Sequence, residues 1–335
     1  MTAQPSRRPA FSAQTLAIDP ERETERIAAA MRDQLRGLRK RGVVIGLSGG
    51  IDSSASLALA VRALGAANVF ALFMPENDSD PESLRLGRLL AETFGVEAAV
   101  EDIGPALQAM GCYARRDAFI RELVPEYGPG WASKIVIANS LEAGGYNISS
   151  LVVEDPEGRQ QKLRMPTSVY LGVVAATNMK QRTRKQMEYY HADRLNYAVI
   201  GTPNRLEYDQ GFFVKNGDGA ADVKPIAHLY KSQVYGMARF LGLPERVTSA
   251  TPTTDTYSLA QGQDEFYFAL PHAQMDLALW ALNHDRPAAE LGTALGVTEA
   301  QAQAVYDDIR AKRRTTAYLH RPPVLVEPVP EPHRR

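Results

Sequence analysis

Apolar residues in the N-terminal third of the chain follow two alternating patterns. Short continuous runs at Val43–Ile45, Asn68–Met74 and Val96–Val100 are typical of buried parallel strands. Apolar residues at helical spacing lie before the first run, from Pro20 to about Arg41. Between the second and third runs, Asp80-Pro81 opens another predicted helix, with an N-cap followed by proline, that closes at Gly95. Because strands and helices alternate, the sequence predicts an α/β fold. We expect a doubly wound, Rossmann-like parallel sheet with flanking helices, whose ligand binds beyond the carboxyl ends of the strands.

The segment 104–165 breaks this alternation. It contains glycine-rich turns and two short strand-like runs, Ser150–Val153 and Gln161–Met165, which predict a hairpin. We interpret the segment as an inserted subregion that covers the site or contacts a partner. The α/β pattern resumes with a long predicted helix from about Thr177 to Leu195 and a short strand, Ala198–Ile200.

Irregular ends are predicted on either side of one domain. Residues 1–18 are polar and contain proline, which indicates a flexible N-terminal tail, and 321–335 form a Pro-rich tail that we expect to be extended or disordered. The residues between them, 19–320, form a single predicted α/β domain. Its last part, Pro287–Leu319, is typical of helices, one of which opens with the capping box Thr298–Gln301.

Composition narrows the class of protein. The 335 residues are 44% hydrophobic, so the chain can bury a sizeable core, and the formal net charge of −1 gives no basic field for nucleic acid. The one cysteine, Cys112, excludes an intramolecular disulfide and fits a reducing compartment. The sequence shows neither a secretory signal nor an apolar run long enough to span a membrane. We therefore expect a cytoplasmic protein that binds neither nucleic acid nor membrane.

The glycine-rich segment after the first strand carries the strongest chemical signal. The strand leads into Gly46–Gly50, and Asp52 and Ser53 open the next helix. A strand, a glycine loop and a helix N-terminus together bind anions, because backbone N–H groups and the helix dipole point at the ligand. A carboxylate inside a phosphate cradle is repelled unless a cation lies between, so Asp52 is a predicted Mg²⁺ ligand.

This loop resembles the SGGxDS loop of the ATP-pyrophosphatase superfamily, and later motifs resemble ammonia-dependent NAD synthetases. The resemblance covers about 20–104 and 175–320. The further motifs that carry it are Asn178–Arg184, Gly201–Glu207, Gly211–Asp222, Tyr230–Ser232, Thr251–Asp255 and Lys312–Arg313. It implies an enzyme that adenylates the nicotinate carboxylate of deamido-NAD with ATP and then amidates it with ammonia, which releases AMP and pyrophosphate.

The resemblance also implies roles for individual residues. Asp52 and Glu207 are expected to hold Mg²⁺, and Asp52 and Lys231 to be catalytic. The residues expected to contact ATP are Gly46, Leu47, Ser48, Gly49, Gly50, Ile51, Asp52, Ser53, Thr202, Lys231 and Thr253. Those expected to contact deamido-NAD are Arg182, Lys215, Asp222 and Lys312. A homodimer is implied as well, and ammonia is expected to arrive free or from a separate glutaminase.

Four features depart from the family pattern. Pro203 and Asn204 stand where the family has Asp-His, and Ala311 stands where it has His. The segment Tyr257–Leu270 is unusually aromatic, and the 104–165 insertion is long. These departures leave open a sister ligase that acts on another carboxylate. A tRNA-thiolating enzyme is disfavoured because it needs reactive cysteines and a basic surface, and a non-catalytic nucleotide-binding module because Asp52 and Glu207 are both present.

Overall fold

The structure, a computed structural model, describes residues 11–137, 149–249, 257–259, 262, 267–268 and 270–329. Its strands, in chain order, are β1 (Val43–Gly46), β2 (Val69–Phe73), β3 (Glu97–Val100), β4 (Ala132–Ile137), β5 (Ser149–Glu154), β6 (Gln160–Arg164) and β7 (Ala198–Val199). The helices are α1 (Pro20–Leu38), α2 (Ile51–Leu64), α3 (Pro81–Phe94), α4 (Gly104–Ala109), α5 (Cys112–Arg121), α6 (Thr167–Leu195), α7 (Arg205–Gln210), α8 (Lys231–Phe240), α9 (Glu245–Thr248), α10 (His272–Asn283), α11 (Ala288–Leu295) and α12 (Glu299–Thr316).

A parallel sheet of strand order β3-β2-β1-β7 forms the centre of the molecule, which confirms the predicted fold class. Strand side chains alternate between the two faces of a sheet, so the neighbours Val43 and Val44 pack on different layers. Val43 and Ile45 belong to the core shared with α1, α2 and α8, whereas Val44 packs with Ala192 of α6. Both faces of the sheet are covered by helices, and this explains why the strand sequences are continuously apolar rather than alternating.

Local signals fix the start of α1, which ends at Leu38 rather than near Arg41, and both ends of α3 as the sequence predicts. The Asp19 carboxylate accepts hydrogen bonds from the backbone N–H groups of Glu21 and Arg22 at 3.0 and 3.2 Å, which caps α1. Asp80 caps α3 in the same way, at 2.8 Å from the backbone nitrogen of Glu82. Helix α3 ends at Gly95, whose φ of 64° is the left-handed conformation that glycine favours.

The segment 104–165, the inserted subregion of the sequence interpretation, is a small α/β unit. Its strands form a second, antiparallel sheet of order β4-β5-β6, so the predicted hairpin is confirmed, while β4, α4 and α5 were not predicted. Ile135 and Leu151 from this sheet pack with Ile120 and with Val169 and Val173 of α6. Helix α6 begins at Thr167, so the predicted start near Thr177 is wrong. Its first turns are rich in apolar residues, and this hides the helical period in the sequence.

The C-terminal helices form a layer with its own core. Leu279, Leu291 and Ile309 of α10, α11 and α12 are fully buried in it. Within the predicted N-terminal tail, Leu16 is buried in the same core, and Phe11 stacks on Trp280 with ring centroids 5.6 Å apart. At the other end, 321–329 have no regular secondary structure. Throughout the described ranges, every helix falls short of the length and apolar content needed to cross a membrane.

Candidate active site

The glycine loop joins β1 to α2 at the carboxyl edge of the parallel sheet. Gly49 has a φ of 76°, and a Cβ there would lie 2.7 Å from Leu86 Cβ, so both the backbone conformation and the packing require glycine. Gly50 precedes the first residue of α2, and its carbonyl oxygen accepts hydrogen bonds from the hydroxyls of Ser53 and Ser54 at 3.0 and 2.8 Å. The loop therefore presents a helix N-terminus at the predicted ligand edge.

Asp52 lies in the first turn of α2, where two other segments converge on it. The buried ammonium group of Lys231, the first residue of α8, contacts Oδ2 of Asp52. The side-chain amide of Asn204 donates to Oδ1 of Asp52 at 3.1 Å. Asn204 also donates its backbone N–H to Oε2 of Glu207 at 3.0 Å. The structure thus brings together Asp52, Glu207 and Lys231, which the sequence predicted as a site.

Asn204 is a site residue whose role the sequence interpretation missed. Its carbonyl oxygen Oδ1 accepts from the backbone nitrogen of Leu206 at 2.9 Å and so caps α7, while its amide nitrogen reaches Asp52. With Glu207 it forms a capping box, in which the first and fourth residues satisfy each other's backbone amides. The spacing of Asn204 and Glu207 is that of a capping box, which is the sequence signal for this role.

Electrostatics link the two carboxylates. Burial raises the pKa of Glu207 to about 8, and the negative charge of Asp52 adds to the shift. For Lys231, burial acts to lower the pKa, but the carboxylates of Asp52 and Glu207 outweigh it and the pKa is raised. The site therefore holds a buried positive charge between two acidic groups, one of which is costly to ionise.

A fully buried carboxylate on α10 holds the start of α8. Oδ1 of Asp276 accepts from the backbone N–H of Lys231 at 3.1 Å, and Oδ2 accepts from that of Ser232 at 2.7 Å. Burial raises the pKa of Asp276 to about 6. The sequence did not indicate this residue, because α10 carries none of the recognised motifs.

The residues expected to bind deamido-NAD occupy three places. Arg182 and Lys215 lie together, since Nε of Arg182 donates to the Lys215 carbonyl at 3.2 Å. Asp222 lies beside β7 and accepts from the backbone N–H of Val199 at 2.7 Å. Lys312 is buried in the C-terminal layer, where its ammonium group donates to Asp308 at 2.6 Å.

Two threonines, Thr202 and Thr253, are the predicted ATP contacts outside the glycine loop and α8. Thr202 is half-buried and lies directly after the β7 edge, close in sequence to Asn204. Thr253 lies outside the described residues. Cys112 is buried, its thiol donates to the carbonyl of Ala176 at 3.3 Å, and burial raises its pKa, so it is not an activated nucleophile.

A buried ionic network at the carboxyl end of β2 was not predicted. Nζ of Lys180, which is 1% exposed, lies 3.0 Å from Glu76 and 2.5 Å from Asp78. Arg116 of α5 also contacts Asp78, and the hydroxyl of Tyr113 donates to Glu76 at 2.9 Å. The network joins the inserted subregion to the loop between β2 and α3, and α3 in turn packs against Gly49 of the glycine loop.

A second buried pair lies below the glycine loop. Lys185 and Glu188 of α6 are 2.6 Å apart, and a Cβ at Gly46 would lie 2.9 Å from Oε1 of Glu188. Gly46 must therefore be glycine for α6 to approach the loop. Burial raises the pKa of Glu188, and the neighbouring Asp218 carboxylate adds to that shift while Lys185 opposes it.

The parallel sheet with flanking helices is an α/β fold of the adenine nucleotide α-hydrolase type. The family model described as NAD synthase matches residues 23–124 and 146–317. An NH(3)-dependent NAD(+) synthetase from Rhizobium meliloti strain 1021 is 74% identical over 321 residues, which are 96% of each chain. The protein of the same name from Rhizobium rhizogenes is 64% identical over 96% of this chain and 97% of its own.

Solved structures give the same fold. The NH3-dependent NAD synthetase from Campylobacter jejuni aligns with a TM-score of 0.59 over 92% of this chain and 100% of its own, at 23% identity. The family match and the curated relatives show that this chain belongs to the NAD synthase family, and it is a ligase. Within the segment 104–165 the family model leaves out only 125–145. The alignment with the Rhizobium meliloti relative spans 321 residues, which is too long to leave out the whole segment.

Proposed function

We propose that this chain amidates the nicotinate carboxylate of deamido-NAD with ammonia, at the cost of ATP cleavage to AMP and pyrophosphate, and that the site around Asp52 performs the chemistry. The observation that carries the proposal is the convergence of Asp52, Lys231 and the Asn204–Glu207 capping box at the end of the glycine loop. A relative named NH(3)-dependent NAD(+) synthetase, which is 74% identical, supports deamido-NAD as the substrate.

Asp52 and Glu207 are the residues that would hold Mg²⁺. Their oxygen donors suit this ion, and the raised pKa of Glu207 beside the Asp52 charge is the kind of electrostatic cost that a divalent cation relieves. Within the described ranges there is no group of three or more His, Cys, Asp or Glu side chains that could hold a metal, so Asp52 and Glu207 are the protein ligands that we propose. The ion supplies charge neutralisation to the phosphates when bound.

The protein's own groups stabilise the charge that develops when ATP is cleaved. An oxygen of the substrate carboxylate attacks the α-phosphorus, the bond to the pyrophosphate breaks, and an acyl adenylate forms. We propose that the loop amides from Gly46 to Ser53 and the ammonium group of Lys231, which lies beside Asp52, bind the departing pyrophosphate. Thr202 and Thr253 are proposed as further ATP contacts.

Ammonia then attacks the acyl carbon and AMP leaves, which requires no protein nucleophile. The buried state of Cys112 agrees with such a mechanism. Positioning of the two substrates supplies much of the rate, because bringing reactants together in the right geometry replaces a costly loss of freedom in solution. We propose that Arg182, Lys215, Asp222 and Lys312 hold deamido-NAD.

The assembly is part of the proposal. A homodimer and a supply of free ammonia, or of ammonia from a separate glutaminase, are expected from the family resemblance. Light scattering tests the dimer, and a comparison of ammonium with glutamine as nitrogen source tests the supply. Activity with ammonium and none with glutamine is the expected result for the purified chain.

Pyrophosphate release coupled to detection of NAD is the decisive assay. The purified protein is given ATP, Mg²⁺ and ammonium, with and without deamido-NAD. We expect release that depends on deamido-NAD and equals the NAD formed. Release that instead depends on another carboxylic acid, from a panel that includes nicotinate mononucleotide, would overturn the substrate and leave the adenylation chemistry intact.

A further inference from the structure

Asp276 has no role in the proposed chemistry, but it contacts the first turn of α8, the helix that carries Lys231. The carboxylate lies on α10, is 0% exposed, and accepts one backbone N–H with each oxygen, from Lys231 at 3.1 Å and from Ser232 at 2.7 Å. These two amides belong to the first turn of α8, whose N–H groups have no partners within the helix. The capping group comes from 45 residues further along the chain.

A local residue cannot replace this contact. Helix α8 follows Tyr230, which offers no carboxylate or carboxamide to cap the first turn. Gln233 does fold back, but its Oε1 accepts from the backbone N–H of Tyr230 at 2.9 Å and leaves the amides of Lys231 and Ser232 to Asp276. Burying a carboxylate costs free energy, and the raised pKa of Asp276 reflects that cost. The two hydrogen bonds to this buried carboxylate therefore indicate that Asp276 holds the first turn of α8 in a specific position.

The position of the first turn of α8 matters because it determines where the Lys231 side chain lies. Helix α8 packs between α2, which carries Asp52, and α10, which carries Asp276. The backbone of Lys231 is held from the α10 side, and its ammonium group reaches the Asp52 carboxylate on the α2 side. A shift of the first turn of α8 would carry this ammonium group away from the glycine loop.

We propose that Asp276 is a positioning residue for the ligase reaction: it fixes the first turn of α8 so that the Lys231 ammonium group is aimed at the phosphate site beside Asp52. This inference rests on the proposed role of Lys231 in binding the departing pyrophosphate. Asp276 itself touches backbone amides and acts through Lys231. Misplacement of a charged group by about 1 Å is expected to slow such a reaction by about 100-fold.

The test is a double-mutant cycle on the full-length enzyme. Asp276→Asn keeps the size of the side chain but turns an N–H donor toward one of the two backbone amides. We expect it to lower kcat by about 10- to 100-fold. In a Lys231→Met background, the same change is expected to lower the remaining kcat by less than about twofold, because residues that act through one another are not additive.

Two controls separate positioning from general stability. Asp19→Asn alters a helix-capping carboxylate that also accepts two backbone amides, on α1 outside the site, and should leave kcat unchanged. Urea unfolding is measured for every variant. If Asp276→Asn does not fold, Asp276→Glu, which keeps the charge but extends the side chain by one methylene, is run through the same cycle.

The outcomes are distinct. If Asp276→Asn lowers kcat by the same factor in the wild-type and Lys231→Met backgrounds, Asp276 is only a structural cap. This result would overturn the inference and leave the proposed role of Lys231 intact. Unchanged kcat in Lys231→Met itself would overturn the proposed role of that lysine, and the inference with it. Full kcat in Asp276→Asn would also reject the inference.

Discussion

Asn204 donates its side-chain amide to Asp52 at 3.1 Å while its side-chain carbonyl caps α7. One residue therefore fixes both the start of the helix that carries Glu207 and the orientation of the carboxylate in the glycine loop. The pair spans 152 positions of the sequence and ties the second half of the site to the first.

Substitution of Asn204 by alanine should affect both stability and catalysis. The loss of an N-cap costs about 1 kcal/mol of unfolding free energy. We expect kcat/KM for ATP to fall in addition, because Asp52 and Glu207 lose their common anchor. Urea unfolding and steady-state kinetics measure the two effects.

Thr298→Ala is the matched control for that change. Thr298 caps α12 through a hydrogen bond of 3.2 Å from the backbone nitrogen of Gln301, in a capping box away from the site. It should lose a similar stability and keep full kcat/KM. An equal kinetic loss in both variants would mean that Asn204 serves only its helix.

Asp52→Ala should abolish pyrophosphate release while the circular dichroism spectrum stays native. The substitution removes a proposed Mg²⁺ ligand and leaves the buried Lys231 without its Asp52 contact. Breaking a buried ion pair costs about 3–5 kcal/mol of unfolding free energy when one partner stays charged. Turnover near the wild-type rate would contradict the metal assignment.

Lys180→Met tests the buried network of the inserted subregion. The variant keeps the length of the side chain but leaves Glu76 and Asp78 without their shared cation. We expect a loss of about 3–5 kcal/mol in unfolding free energy, measured in urea. Arg85→Met is the control, because the Arg85–Glu82 pair is exposed and such pairs contribute about 0–1 kcal/mol. Similar small losses in both variants would show that the network is unimportant for stability.

Stability at acidic pH should depend on Glu23. The hydrogen bond from Arg26 lowers the pKa of Glu23 to about 2, and His228 adds to this effect against the opposing effect of burial. A carboxyl whose pKa is lower in the folded state stabilises the fold above its ordinary pKa of 4.5, and this contribution is lost as the pH falls toward 2. Because the pair is partly solvated, we expect a contribution of about 0.2–1 kcal/mol.

Glu23→Gln measures this contribution directly. The difference in unfolding free energy between wild type and variant should shrink as the pH falls below 4.5, as linkage requires. A difference that grows as the pH falls would contradict the assignment.

The sequence predicted those parts of the site that depend on neighbouring residues. The apolar run of β1, the glycine loop and the first turn of α2 are consecutive, so hydrophobic pattern and turn chemistry were sufficient to place Asp52. The start of α3 followed from the Asp80-Pro81 pair and its end from Gly95. The parallel sheet followed from the alternation of the elements.

Contacts between distant segments could not be predicted in the same way. Asp276 lies in an apolar helix without a motif, and only folding brings it to the amide of Lys231, 45 positions away. The start of α6 was missed because Val169, Val173 and Ala176 are buried among apolar neighbours, which hides the helical period. Lys180 was recognised only as part of a motif, and its burial between two carboxylates depends on the loop after β2.

Helix α6 has 29 residues and is therefore about 44 Å long. Its first turns supply Val169 and Val173 to the core of the inserted subregion, and its later turns bring Arg182 to Lys215 and Glu188 to the glycine loop. One continuous helix therefore supports both the core of the inserted subregion and residues beside the glycine loop.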